Sequence, residues 1–222
     1  MICYYCHEAM REEVDIVNLF KKRAPLCDGC RNALSRWRAG KRCGFCHRLM
    51  QAGEAACLDC LFLSSRFRPP ESITCLLDYN GAVKMLFHRY KFTGDCALAE
   101  VIAMFLDSRF REYDVIIPIP ISSTRMKERG YDQTTMVLDA KGVVYSPFLE
   151  TKNRRRQSEL GKVERARGEN PFLLNCRRED LAEKRILLVD DIYTTGMTVH
   201  QAMEKLYTFF PGAIDVLTFS KA

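Results

Sequence analysis

The sequence contains no apolar run approaching the ~18 residues that a bilayer-spanning helix requires; the longest candidate, 115–121, carries two prolines. Membrane insertion is therefore not expected. The first ten residues, MICYYCHEAM, lack a basic stretch followed by an apolar one, so no export signal is recognisable and a cytoplasmic location is predicted. A strong excess of one charge is also missing. The formal balance is +6, and eight metal-bound thiolates with two dications would lower it to +2. Overall charge is thus weak evidence for a polyanionic partner, and only local patches count.

Cysteine, by contrast, is abundant. Eight of the eleven cysteines form four CxxC pairs, Cys3/Cys6, Cys27/Cys30, Cys43/Cys46 and Cys57/Cys60, with 20, 12 and 10 residues between successive pairs. Two such turns supply a tetrahedral S₄ shell, the pattern of structural zinc ribbons, so two Zn²⁺ ions are predicted. A disulfide framework would need an oxidising compartment that the N-terminus does not indicate. Two pairs continue into His7 and His47, and CxxCH is also the attachment pattern for c-type haem. That reading leaves the Cys27 and Cys57 pairs unexplained. Spacing does not decide which pairs share a metal. A closed four-cysteine site leaves no open coordination position, so its role is to hold a module together or to present a surface.

Between these pairs lie Lys21, Lys22, Arg23, Arg36, Arg38, Lys41 and Arg42, with Tyr4, Tyr5, Trp37 and Phe45 nearby. Basic residues interleaved with aromatics can bind single strands by phosphate contact and stacking. In a small module they serve equally as solubilising charge and as the available core. Cys75, Cys96 and Cys176 have no CxxC partner and read as small buried hydrophobes. The stretch SSRFRPPES at 64–72 disfavours both helix and strand and marks a linker between a 1–63 module and a second unit, 73–222.

That second unit alternates strand-like runs (73–79, 115–119, 143–145, 186–189, 214–219) with longer helix-like ones (82–90, 97–110, 124–140, 198–209). The pattern predicts an α/β fold, a parallel sheet with helices on both faces. Ligands in such sheets bind beyond the carboxyl ends of strands. The run 186–189 meets this expectation, leading directly into Asp190-Asp191 and then Tyr193-Thr194-Thr195-Gly196-Met197-Thr198 at a helix start. Paired carboxylates accept hydrogen bonds from a vicinal diol, and a hydroxyl-rich turn at a helix N-terminus donates to a phosphate. Gly196 allows close backbone approach.

ILLVDDIYTTGMT resembles the signature of type I phosphoribosyltransferases: four apolar residues, two acids and a Thr-Thr-Gly-x-Thr loop. The resemblance implies that Asp190 and Asp191 hold ribose hydroxyls, and 194–198 the 5-phosphate, of phosphoribosyl pyrophosphate with Mg²⁺. More of the chain is similar to the ComF family of late-competence phosphoribosyltransferase-like proteins. Its landmarks are matched by Tyr90-Lys91-Phe92-Thr93-Gly94-Asp95, Ile117-Pro118-Ile119-Pro120, Arg125, Arg129-Gly130-Tyr131-Asp132-Gln133, by Gln157, Leu160 and Arg165, and by the N-terminal cysteine pairs. Asp132 and Gly168 depart from it, standing where the family usually has Asn.

The loop at Ile119 and Pro120 would expose backbone donors to a pyrophosphate, with Arg125 and Arg129 one helical turn apart and Lys91 adding a point charge. The two arginines could instead belong to a solvated helix face. Segment 151–168 carries seven basic residues against two acidic ones, among them Arg154, Arg155, Arg156, Lys162 and Arg165, with Gln157. It reads as a loop closing over the site, as a strip for single-stranded DNA, or as a solvated arm.

Two functions follow from the resemblance. One is a competence-associated protein acting in natural transformation on incoming single-stranded DNA, partnered by a helicase-like ATPase. The other is an active Mg²⁺-dependent phosphoribosyltransferase of unknown acceptor. No general base is identifiable. Known enzymes of this kind cover the acceptor with a hood built from the chain termini. With only 220–222 after the last strand-like run, that role would fall to the cysteine module.

Overall fold

The structure, a computed structural model, describes residues 1–10, 24–152 and 170–222. Lys21, Lys22 and Arg23, and the loop residues Arg154, Arg155, Arg156, Gln157, Lys162 and Arg165, lie outside the described residues.

Four strands, β1 (Ser72–Asp78), β2 (Val115–Pro118), β5 (Arg185–Tyr193) and β6 (Ala213–Lys221), form one parallel sheet in the order β1-β6-β5-β2. Two short strands, β3 (Leu149–Thr151) and β4 (Phe172–Leu174), pair antiparallel apart from it. The central strands β5 and β6 are buried along nearly their whole length, as in a sheet covered on both sides, with apolar runs at Ile186–Val189 and Val216–Leu217. Alternation along β5 divides the core. Leu187 and Val189 pack with α3 (Gly81–Phe92), α4 (Leu98–Ala103) and α6 (Gln133–Lys141), whereas Ile186 and Leu188 pack with α7 (Met197–Tyr207) on the other face.

Several run lengths differ from the sequence pattern. The helical stretch 124–140 is two helices, α5 (Ser123–Arg129) and α6, because Gly130 turns left-handed at φ 80 and Asp132 caps the next helix, accepting from Thr134 N and Thr135 N. The run 97–110 shortens to α4 plus one 3₁₀ turn at Arg109–Glu112, and 143–145 forms no strand.

The cysteine region folds as two copies of one unit. Residues 1–10 and 41–50 share a single hydrogen-bond pattern: Cys3 N to Glu8 O, His7 N to Cys3 O and Met10 N to Met1 O in one, Cys43 N to Arg48 O, His47 N to Cys43 O and Met50 N to Lys41 O in the other. His7 and His47 both adopt left-handed backbone, at φ 63 and 59, closing their knuckles. In each unit the second CxxC opens a short helix, α1 (Asp28–Ser35) or α2 (Leu58–Ser64).

The two units share their apolar clusters with the sheet, on opposite faces. Cys3, Cys30 and Leu34 pack with the α3 side, and Cys46 and Cys57 with the α7 side. Arg89 of α3 donates to the Tyr4 and Tyr5 carbonyls, and Tyr5 Oη donates to Ala82 O at 3.0 Å, fastening the first unit. The second is tied by His47 Nε2 to Ile73 O of β1 at 3.0 Å. Between them, Asp78 at the end of β1 is fully buried and takes Arg38 at both oxygens and Arg42 at one. Burial alone would raise the Asp78 carboxyl, but these arginines hold it below its usual value. Arg42 also lies over the Trp37 ring at 4.6 Å. Two of the basic residues expected around Trp37 are therefore committed to the fold. Of the unpaired cysteines, Cys75 is buried, but Cys96 is exposed, which corrects the expectation of a core role; it sits in the turn between α3 and α4 rather than on an inward face.

Candidate functional site

β2 ends where Pro118 pairs with Val189, while β5 continues four residues further, paired only with β6 through Tyr193 and Lys221. Asp190 and Asp191 thus lie inside a strand yet past the end of its neighbour, at the carboxyl edge where such sheets bind ligands. Asp190 Oδ1 accepts from Asp191 N at 2.8 Å. Burial, with the neighbouring Asp191 charge, pushes the Asp190 carboxyl up to about 7.

Asp191 faces α3 and α6. Its Oδ2 receives Lys91 Nζ at 2.6 Å and Gln133 Nε2 at 2.7 Å. Lys91, expected as a charge for a pyrophosphate, is here the ion-pair partner of Asp191. Arg129 in turn donates from Nη1 to Gln133 Oε1 at 2.8 Å, while Arg125 is exposed. The landmark segments are themselves tied together: Tyr131 Oη donates to Tyr90 O, and Tyr90 Oη to Gln133 O at 2.9 Å. Asp132 accepts Ile121 N on Oδ2 at 3.1 Å and caps α6 through Oδ1; an Asn could fill the cap but could not accept at the second position, where its amide nitrogen would donate.

The loop after β2 differs from expectation in one respect. Ile119 N is spent on Val189 O at 2.8 Å, Ile119 is buried, and Pro120 has no N–H, so neither offers the backbone donor foreseen for a pyrophosphate.

The turn Thr194-Thr195-Gly196 leads from β5 into α7. Gly196 has φ 83, and an added Cβ there would overlap the Tyr193 hydroxyl, so the glycine serves both the left-handed turn and the close approach of that ring. Beneath the turn, Lys221, 1% exposed, donates from Nζ to Tyr193 O at 3.1 Å, Thr194 O at 2.8 Å and Ala222 O at 2.5 Å. His200 Nδ1 lies 2.9 Å from Gly196 O. The loop carbonyls are thus held from below, and within the loop Met197 N donates to Thr195 Oγ1 at 3.5 Å. Lys221 and His200 carry no motif; Lys221 is visible in sequence only as a lone cation closing an apolar strand.

The cysteines resolve into Cys3/Cys6/Cys27/Cys30 and Cys43/Cys46/Cys57/Cys60, each set with its sulfurs within 4.8 Å of one another. Cys6 and Cys27 sulfurs are 3.9 Å apart, and the Cys43–Cys60 and Cys46–Cys57 pairs 3.7 Å. A tetrahedron with Zn–S bonds of about 2.3 Å has edges of about 3.8 Å, so each set fits zinc. Second-sphere donors are in place: Cys27 N to Cys3 Sγ at 3.4 Å and Phe45 N to Cys43 Sγ at 3.4 Å. Neighbouring pairs therefore share a site, the point spacing left open. Among the described residues no helix is long and apolar enough to cross a membrane.

A parallel α/β sheet ending in two acids and a hydroxyl-rich turn, joined to paired four-cysteine units, defines a phosphoribosyltransferase-like protein with N-terminal zinc-ribbon modules. The chain belongs to the ComF family of competence proteins. It is 33% identical over 226 residues to competence protein ComFC of Streptococcus pneumoniae, covering 99% of each chain. Identity to competence protein ComFC of Bacillus subtilis is 29% over 91% of this chain and 87% of that one, and to competence protein F of Haemophilus influenzae 25% over 92% and 94%. No family model matches the chain. Among solved structures, the allosteric regulatory enzyme of purine biosynthesis aligns with a TM-score of 0.36 at 18% identity, covering 58% of this chain and 26% of that one.

Proposed function

We propose that this protein binds phosphoribosyl pyrophosphate with Mg²⁺ through Asp190, Asp191 and the loop 193–198, and acts in natural transformation on incoming single-stranded DNA. The observation that carries the ligand reading is the placement of both acids beyond the end of β2, directly before a loop whose carbonyls Lys221 already occupies. Mg²⁺ keeps most of its waters and takes one or two carboxylates plus substrate phosphates, a demand that Asp190 and the ligand together can meet. Arg129 supplies the cation on the pyrophosphate side. Family membership supports the competence role, and with it single-stranded DNA and a helicase-like ATPase as partners in the cytoplasm.

Calorimetric titration of Mg²⁺ and phosphoribosyl pyrophosphate into wild type and into Asp190→Asn/Asp191→Asn tests the reading. Binding to wild type that disappears in the double variant is expected. Equal binding to both proteins removes the acids from the site.

A further inference from the structure

We infer that Gln133 is a positioning residue that couples the two halves of the site, so that ribose is gripped fully only when a pyrophosphate is present. The inference rests on the phosphoribosyl reading above and deepens it. Gln133 is 4% exposed and has one side-chain hydrogen bond on each end: its amide nitrogen donates to Asp191 Oδ2 at 2.7 Å, and its amide oxygen accepts from Arg129 Nη1 at 2.8 Å. Only this orientation satisfies both partners, since a carboxylate cannot donate and a guanidinium cannot accept. Its backbone is fixed from the other side by Tyr90 Oη, which donates to Gln133 O at 2.9 Å.

In this arrangement Asp191 is heavily committed. Oδ2 holds both Gln133 and Lys91, and Oδ1 accepts Ile192 N at 2.5 Å. A carboxylate offers about four lone-pair positions, so little acceptor capacity is left for a sugar hydroxyl. A pyrophosphate at Arg129 would draw the guanidinium toward its own oxygens, because a dianionic phosphate is a stronger acceptor than an amide. Gln133 Oε1 then loses the donor that fixes it, the amide swings free, and the Oδ2 position it occupied opens to ribose. Binding on one side thereby lowers the cost of binding on the other, and the coupling is reciprocal. The consequence is specificity: the site favours intact phosphoribosyl pyrophosphate over ribose 5-phosphate by more than the contacts of the added pyrophosphate alone.

The test measures ribose 5-phosphate affinity with and without saturating Mg²⁺-pyrophosphate, in wild type, Gln133→Leu and Gln133→Glu. Leu removes both bonds; Glu keeps the Arg129 contact but removes the donor to Asp191, and it retains a polar side chain should Leu fail to fold. Expected for wild type is a tightening of at least about fivefold by pyrophosphate. Expected for either folded variant is a factor near one, with ribose 5-phosphate alone bound no more weakly than by wild type. A merely structural role would weaken both ligands and leave the factor unchanged. An unchanged factor in the folded variants, or a wild type that binds both probes independently, overturns the relay alone. A wild type that binds neither probe overturns the relay together with the site reading.

Discussion

The Asp190 carboxyl makes the site sensitive to pH. Its value is raised to about 7 by burial and by the Asp191 charge, against an ordinary 3.8. Folded protein therefore holds this proton more tightly than unfolded chain does. The stabilising contribution is complete below about pH 4 and is lost as pH rises toward about 7. Ligand binding runs the opposite way, since only the ionised group offers all its lone pairs to ribose hydroxyls. Ribose 5-phosphate affinity should rise through about pH 7 in wild type. The ligand's own phosphate also titrates, near 6, so the informative quantity is the ratio of wild-type to Asp190→Asn affinity across pH 5.5 to 8.5, roughly the span of both groups. That ratio should increase with pH, and a flat ratio would mean that Asp190 does not meet the ligand in its charged form.

At the scale of elements, β5, its turn and α7 are the part most legible in sequence, because a buried apolar run, two acids and a hydroxyl-glycine turn each have one local meaning. The strand's length is not legible. Its apolar run stops at Val189, and only the β6 partner, reaching Lys221, carries the ladder on to Tyr193. The split of 124–140 at Gly130 has a local signal in the glycine followed by Asp132. The Arg129–Gln133–Asp191–Lys91 chain has none, since it joins residues from four elements, α3, α5, α6 and β5, that span a hundred positions of the sequence. Lys221 illustrates the same limit, and it yields a prediction. Replacing it with Met removes the buried donor to the Thr194 and Ala222 carbonyls and leaves Tyr193 O with Ala222 N alone, which should cost about 1–3 kcal/mol in urea unfolding, tempered by relief from burying the ammonium. Amides of 194–196 should exchange hydrogen faster in the variant. A variant with wild-type exchange at those amides would show that the loop is held by other contacts.

Across the whole molecule, the cysteine units act as clasps on the two faces of one sheet. The first unit grips α3 through Arg89 and Tyr5, and α3 also carries Lys91, the partner of Asp191. The second packs against Tyr193, on which Gly196 of the 194–196 turn rests. The repeat relating them is present in sequence as CxxCH at 3–7 and 43–47. Their placement on opposite faces is not, because it depends on where α3 and α7 pack. Metal in these sites is thus tied to the elements that carry the proposed ligand site, and two zinc ions per chain are expected by elemental analysis. Metal binding to S₄ sets contributes directly to folding free energy. Slow chelation should therefore lower the melting temperature by well over the roughly 2–4 °C that 1 kcal/mol produces in a chain of this size. The phosphoribosyl pyrophosphate affinity should fall in step with zinc released. If zinc can be removed while that affinity and the melting temperature both persist, the units are independent appendages and the clasp description fails.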